Sequence, residues 1–253
     1  MISFDLKGRT ALVTGAGSGI GLEAARIICQ SGGKVAINFL PDDPRGPAAV
    51  EALRKEGFDA VAAPGDVGDA AAAEAMVKKA IADLGHLDLL VNNAGTPGVK
   101  TPIPITDLDS ISEELWANLL NVNLMSVWRC SKAAAGALKA SKGAIVNTAS
   151  IAGLGAVAST LVYSGSKAAV INLTKNLAKS LAPEVRVNAV APGSVDSSWA
   201  IEWSDERRTN TIASTPLKKL CTPYDVAELI IYLGFAGGMI TGQTVNIDGG
   251  VYM

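Results

Sequence analysis

The sequence predicts an α/β fold, a single-domain doubly wound parallel sheet of about seven strands with helices on both faces. Three observations carry that expectation. Short apolar runs alternate with helix-type stretches along the whole chain. A glycine-rich turn, G-A-G-S-G-I-G at 15–21, joins the first such run to the first helical stretch. No linker, internal repeat or low-complexity segment divides the 253 residues, a length that buries a substantial core as one domain, 1–253.

In order, RTALVT at 9–14 reads as a strand, and Leu22–Cys29 as a helix stopped by Gly32 and Gly33. KVAINF at 34–39 is a second strand. Pro41, Pro44 and Pro47 make an irregular connection into a helix that ends near Glu56. Phe58–Ala62 is the third strand, running to Asp66, and Asp69–Leu84 is an Ala-rich helix stopped by Gly85. Leu87–Val91 is the fourth strand and enters Asn92-Asn93-Ala94-Gly95. After a proline-containing loop at 96–109, a long helix is expected from Ser112 to Ser141. Ala144–Thr148 is the fifth strand, Leu161–Leu181 a helix, and Val185–Val190 the sixth strand. A long polar segment to Leu220, a helix at Pro223–Phe235 and a last strand at Thr244–Ile247 complete the chain.

Composition excludes several classes. With 49% hydrophobic and 18% charged residues the chain is not disordered. A net charge of −2 without a basic block leaves no electrostatic footprint for nucleic acid or an anionic membrane. Residues 143–166 and 229–247 lack formal charges, but glycines and polar residues interrupt both, so they read as buried strand, loop and helix pieces. Cys29, Cys130 and Cys221 have neither metal-ligand spacing nor an even-numbered framework, and buried free thiols are expected. With no apolar leader at the start, a cytoplasmic protein is expected. The single histidine, His86, precedes a strand and is expected to be structural; no metal site is expected.

The stretch Ser150–Lys167, S-I-A-G-L-G-A-V-A-S-T-L-V-Y-S-G-S-K, carries the chemistry. On a helix Tyr163 and Lys167 share a face, being four residues apart. A phenol titrates near pH 10, and a neighbouring ammonium favours its ionised form, so the pair is a proton-transfer device. The turn Thr14–Gly21, between strand and helix, suits a phosphate seated on a helix N-terminus. No Gly-Lys-Ser/Thr follows it, which disfavours a P-loop. A lone histidine and the absence of Gly-x-Ser-x-Gly disfavour a serine hydrolase.

T-G-A-G-S-G-I-G, N-N-A-G at 92–95, Asn123, Ser150, Tyr163-x-x-x-Lys167 and Pro192-Gly193 stand in the order and spacing of the short-chain dehydrogenase/reductase family. The chain resembles that family from about Asp5 to Gly250. The resemblance implies a Rossmann-type fold and an oxidoreductase dependent on NAD(H) or NADP(H). It implies Tyr163 as general acid/base and Lys167 as the group that lowers its pKa and holds the nicotinamide ribose. Ser150 would stabilise the substrate oxygen, and Asn123 would hold a water of a proton relay. Cofactor contacts are implied for Gly15, Ser18, Gly19, Ile20 and Gly21 at the phosphates and for Asp66 and Val67 at the adenine. Asn92, Ala94 and Gly95 would line the adenine ribose, and Pro192, Gly193, Val195 and Ser197 the nicotinamide.

The residue at the end of the second strand, where NAD enzymes place an acid, is Phe39. Asp42 and Asp43 nearby would disfavour a 2′-phosphate and Arg45 would attract one, so preference stays open. Trp199 and Trp203 are expected as an aromatic wall within a substrate segment at about 194–220, which favours a hydrophobic secondary alcohol or ketone. Alternatives are a 3-oxoacyl-acyl-carrier-protein reductase, docking its carrier through Arg129, Lys132, Lys218 or Lys219, and a non-catalytic nucleotide sensor on the same fold. The helices at 112–141 and 161–181 resemble the family's dimer-forming pair, and a homotetramer is expected.

Overall fold

The computed structural model describes residues 4–156, 158–197 and 204–253. Trp199 and Trp203 lie outside the described residues. The strands are β1 (Thr10–Val13), β2 (Lys34–Phe39), β3 (Ala60–Pro64), β4 (Leu89–Asn92), β5 (Ala144–Thr148), β6 (Arg186–Pro192) and β7 (Thr244–Ile247). The helices are α1 (Gly19–Gln30), α2 (Arg45–Lys55), α3 (Ala70–Leu84), α4 (Glu113–Leu120), α5 (Ser126–Ser141), α6 (Leu161–Leu181), α7 (Asp205–Ser214) and α8 (Pro223–Phe235). They build one seven-stranded sheet in the order β3-β2-β1-β4-β5-β6-β7, with every pairing parallel. The order reverses between β1 and β4, and such a reversal opens a crevice beyond the carboxyl ends of the strands.

Both faces of the sheet are covered, which is why its strands read as near-continuous apolar runs. The period of two sorts them. Ala11, Val13, Val35 and Ile37 face Ala25 and Ile28 of α1 and Ile230 and Ile231 of α8. Leu12, Ala36, Leu90 and Ile145 face Val77 of α3, Leu138 of α5 and Leu177 of α6. Cys29, Cys130 and Cys221 are buried free thiols, as expected. The two uncharged stretches are β5 with the start of α6, and the end of α8 with β7. Among the described residues, no helix is long and apolar enough to cross a membrane.

Several elements differ from the sequence reading: α1 begins at Gly19 rather than Leu22, and β6 runs Arg186–Pro192 rather than Val185–Val190. The third strand begins at Ala60 rather than Phe58, because the Phe58 amide still donates to Leu53 O at 3.1 Å and closes α2. The fourth begins at Leu89 rather than Leu87. Asp88 is spent on a polar cluster at the amino-terminal rim, accepting from Arg9 Nη1 at 2.9 Å and the Thr10 amide at 2.8 Å, with His86 Nε2 2.9 Å away. His86 thus has the structural place expected of it. The long helix at 112–141 is continuous but interrupted by one π-turn at Asn121–Met125. Such turns displace the helix beyond them and recur at functional sites.

Buried amides tie the middle of the sheet to the helices that carry the site. Asn92 Nδ2 donates to Ser131 Oγ of α5 at 3.1 Å and to Asn147 Oδ1 of β5 at 2.9 Å. Asn147 Nδ2 donates to Thr174 Oγ1 of α6 at 2.9 Å. Inside a low-dielectric core such bonds fix one packing of the helices on the strands. Asn147→Ala, which strands the Asn92 donor and the Thr174 hydroxyl, is expected to lower unfolding free energy by about 1–3 kcal/mol in urea titration.

Candidate active site

The glycine turn is held from three strands. Thr14 Oγ1, at the end of β1, accepts from the amides of Asn93 at 2.9 Å and Ala94 at 3.0 Å. Asn93 Nδ2 returns bonds to Thr14 O and Gly15 O. Asn38 of β2 accepts from the Gly15 amide at 3.2 Å and donates to Ala63 O and Gly65 O beyond β3. Close backbone approach then demands glycine. A Cβ on Gly15, at φ +60°, would lie 2.8 Å from Ala94 Cα, and one on Gly21 would lie 2.6 Å from Gly15 O. Gly19, at φ +55°, has open space, with Ser197 Cβ nearest at 3.9 Å, so its glycine serves backbone conformation beside the crevice.

The crevice is a cavity of about 500 Å³. It is lined by Gly15, Ser18, Gly19 and Ile20, by Phe39, Asp66 and Val67, by Ala94 and Gly95, and by Ser197. Those expected cofactor residues therefore converge on one space. The amino end of α1 opens into it; its N-cap, Ser18, makes no capping bond and no acidic residue occupies its first turn. Free amides and the helix dipole there suit an anion, so a dinucleotide fits the residues present.

Five expected contacts stand elsewhere; Gly21 is buried behind the turn and is not part of the lining. Asn92 is 3% exposed and points into the buried amide network; its neighbour Asn93 faces the cavity instead. The sequence pair N-N does not say which member faces inward, since one residue of strand register reverses the answer. Pro192 O lies 3.5 Å from Ser150 Oγ, beside the proton-transfer residues rather than in the cavity lining. A Cβ on Gly193 would lie 2.8 Å from Asp248 Cβ, so this glycine permits the packing of β6 on the segment after β7. Val195 pairs with Cys221 in an isolated bridge that pins both ends of the expected substrate segment. Asp43, Arg45, Asn93, Thr96 and Asn118 also line the cavity. Asn38 was legible only as a polar member of the second strand, and Asn93 only as part of N-N-A-G.

The residues expected to transfer protons gather where β5 meets α6. Ser150 caps the short turn Ile151–Leu154, accepting from the Ala152 amide at 3.2 Å. That turn lies directly on α6, where a Cβ on Gly153 would stand 2.6 Å from Lys167 C and 2.7 Å from Ala168 N. Thr160 caps α6 by accepting from the Tyr163 amide at 3.0 Å. Tyr163 and Lys167 then share a face, with Nζ 5.7 Å from the phenol ring centroid. Nζ donates to Thr148 O at 2.8 Å, and Lys167 is 3% exposed.

Burial dominates the electrostatics of this pair. Desolvation pushes the Tyr163 phenol up to about 12, against the lowering effect of its hydrogen bond with Ser150. It pushes the Lys167 ammonium down to about 8. The depressed phenol expected from the neighbouring ammonium is thus absent from the free protein, where the cost of burying either charge prevails.

Asn123, 1% exposed, is brought inward by the π-turn. Its Oδ1 accepts from the Thr96 amide at 2.8 Å, and its Nδ2 donates to Thr96 O at 3.0 Å and Ser166 Oγ at 3.2 Å. Ser166 Oγ in turn donates to Tyr163 O at 2.8 Å. The side chain is a clamp between the cavity loop and α6, a role the sequence reading did not foresee.

The short chain dehydrogenase family matches the chain over residues 9–208. The chain belongs to this family. A 3-oxoacyl-[acyl-carrier-protein] reductase of Staphylococcus aureus is 35% identical to it, over 97% of this chain and 98% of that protein. A short chain dehydrogenase of Burkholderia cenocepacia, solved in complex with NADP, superposes with a TM-score of 0.87 at 33% identity, covering 98% of this chain and 99% of the other. A 7α-hydroxysteroid dehydrogenase, solved with NADH and 7-oxo glycochenodeoxycholic acid, gives 0.87 at 28% identity, covering 97% and 94%. These relatives span essentially the whole of this short-chain dehydrogenase.

Two outcomes follow from the geometry. Gly153→Ala, forced against helix backbone that has no room to yield, is expected to lower kcat about a hundredfold by displacing Ser150; adenine-nucleotide binding, measured by calorimetry, should be unchanged. The Lys167 pKa is lower folded than unfolded, so above pH 8 the unfolded chain holds the extra proton and stability rises with pH. Between pH 7.5 and 9.5 the wild-type unfolding free energy is expected to gain about 2 kcal/mol relative to Lys167→Met, measured by urea titration.

Proposed function

We propose that this chain interconverts a hydrophobic secondary alcohol and its ketone by hydride transfer, with NAD(H) or NADP(H) as cofactor. The observation that carries the reading is the convergence of Ser150, Tyr163 and Lys167 next to a crevice whose glycine turn suits a dinucleotide phosphate. The nicotinamide cofactor supplies or accepts the hydride.

The chain's own residues handle the proton and the charge. Gly15, Ser18, Gly19 and Ile20 hold the pyrophosphate at the amino end of α1, with Asp66 and Val67 at the adenine and Ala94 and Gly95 at its ribose. Tyr163 gives its proton to the carbonyl oxygen in reduction and takes one from the alcohol in oxidation. Ser150 donates a hydrogen bond to the same oxygen, where negative charge builds. Lys167 favours the ionised phenol and contacts the nicotinamide ribose. Asn123 fixes the loop at Thr96 relative to α6, which keeps any relay beside Lys167 in register. Pro192, Gly193, Val195 and Ser197 border the nicotinamide.

A second reading, 3-oxoacyl-acyl-carrier-protein reductase, is favoured by the Staphylococcus aureus relative. Three of the four docking candidates weigh against it, while Lys132 is exposed. Arg129 turns inward, Nη1 donating to Gly68 O at 2.9 Å and Asn121 Oδ1 at 2.8 Å. Lys218 Nζ donates to Ala213 O at 2.6 Å, and Lys219 faces Asp225 at 3.7 Å. Homotetramer formation stays part of the proposal and is supported by Met125 and Trp128, 39% and 42% exposed at the start of α5; light scattering at micromolar concentration that found a monomer would reject it.

Tyr163→Phe is expected to cut turnover at least about a hundredfold while dinucleotide affinity holds, read from nicotinamide absorbance with a panel of cyclic and aryl ketones. Turnover near wild type would sink the assignment, and no turnover by the wild type on any ketone or alcohol would favour the sensor. A 3-oxoacyl thioester should gain less than about tenfold in kcat/KM when moved from a small thiol to an acyl carrier protein, since of the four candidate basic side chains Arg129, Lys218 and Lys219 are engaged within the fold and Lys132 is left exposed.

A further inference from the structure

The charged pair at the adenosine end of the crevice decides which dinucleotide is taken, an inference that rests on the functional reading above. The strand-end position that would hold a ribose with a carboxylate is Phe39. Its ring is 5% exposed and packs on α2, where a Cβ on Gly46 would fall 2.0 Å from Phe39 Cγ. It is therefore a packing residue with no charge to offer. Discrimination passes to the next charged groups lining the cavity between Phe39 and the glycine turn, Asp43 and Arg45.

These two are locked together. Arg45 Nε donates to Asp43 Oδ1 at 2.9 Å, and Nη2 to Oδ2 at 2.7 Å, a two-pronged pair. Arg45 Nη1 also reaches Ser18 Oγ of the glycine turn at 3.5 Å, so the pair bridges α2 to the phosphate seat. The guanidinium holds the Asp43 carboxyl below its ordinary range, so it is ionised at neutral pH. A further bond settles the direction of the effect. The Arg45 backbone amide donates to Asp43 Oδ1 at 3.0 Å. The carboxylate is thus anchored by the backbone and stays in place even when the guanidinium swings away. A 2′-phosphate arriving here meets an arginine already neutralised. If it captures that arginine, it leaves a fixed carboxylate facing a phosphate dianion, and such like-charge juxtaposition is costly. The two free hydroxyls of an unphosphorylated ribose need no such rearrangement.

We propose that Asp43 is the specificity-determining residue, selecting NAD(H) over NADP(H), with Arg45 held as its neutralised partner. Asp43→Asn keeps an oxygen for the Arg45 amide and removes the charge, so it frees Arg45 for a 2′-phosphate.

Isothermal titration with NADH, NADPH, 5′-AMP and adenosine 2′,5′-bisphosphate tests this without any turnover. The wild type should bind NADH at least about tenfold more tightly than NADPH, and 5′-AMP more tightly than the bisphosphate. Asp43→Asn should strengthen NADPH binding about tenfold with NADH nearly unchanged, and Arg45→Ala added to it should abolish that gain. A wild type that binds NADPH as well as NADH, or an Asp43→Asn protein with an unaltered ratio, overturns the inference alone. A wild type that binds neither dinucleotide overturns the functional reading and the inference with it.

Discussion

The backbone-to-backbone contact between the turn after Ser150 and α6 is the constraint on which the rest depends. At Gly153 the turn sits on the peptide joining Lys167 to Ala168, closer than any side chain would allow. This contact brings the end of a central strand and one face of a helix into a single site. Neither element carries the chemistry alone: β5 delivers Ser150, and α6 delivers Tyr163 and Lys167. The caps at Ser150 and Thr160 then set each side chain's height along its own element. Catalytic geometry is in this sense a packing distance, imposed by a residue with no functional group.

The same closeness explains the electrostatics. A site that draws two titratable groups out of water favours the form in which both are neutral, which is why the phenol rises and the ammonium falls. Side chain–main chain bonds hold the lysine, with Thr148 O at 2.8 Å. At neutral pH the phenol keeps its proton, and the ammonium, at about 8, still holds most of its charge.

Much of this was legible in the sequence, because the informative residues are those whose role is steric. Glycines at 15, 19 and 21, the apolar strand runs and the four-residue spacing of Tyr163 and Lys167 each leave a one-dimensional trace. What stayed hidden depends on register or on pairing in space. The pair Asn92-Asn93 reads as one motif, yet one side chain is buried in the sheet and the other faces the crevice. The π-turn that rotates Asn123 inward occupies an unbroken helical pattern, since one additional residue per turn has no compositional mark. Asp43 and Arg45 are two residues apart with opposite expected effects on a phosphate, and only their mutual bonds rank them.

The bridge between Val195 and Cys221 has a wider consequence. The amide of Asp196 donates to Cys221 O at 2.8 Å, and that of Cys221 to Ser194 O at 3.1 Å. The chain leaves β6 and reaches α8 through this neck, α7 lies wholly on the excursion, and the Leu217 amide ties the excursion again to Gly249 O at 3.1 Å. Asp196 and Arg208 form an ion pair across its base. An excursion closed at a neck is a cassette: it can lengthen, shorten or change composition while the frame keeps its register. With the substrate role proposed for segment 194–220, such an arrangement separates inheritance of the reaction from inheritance of the substrate, so one scaffold can diversify in what it accepts without re-solving how it reacts.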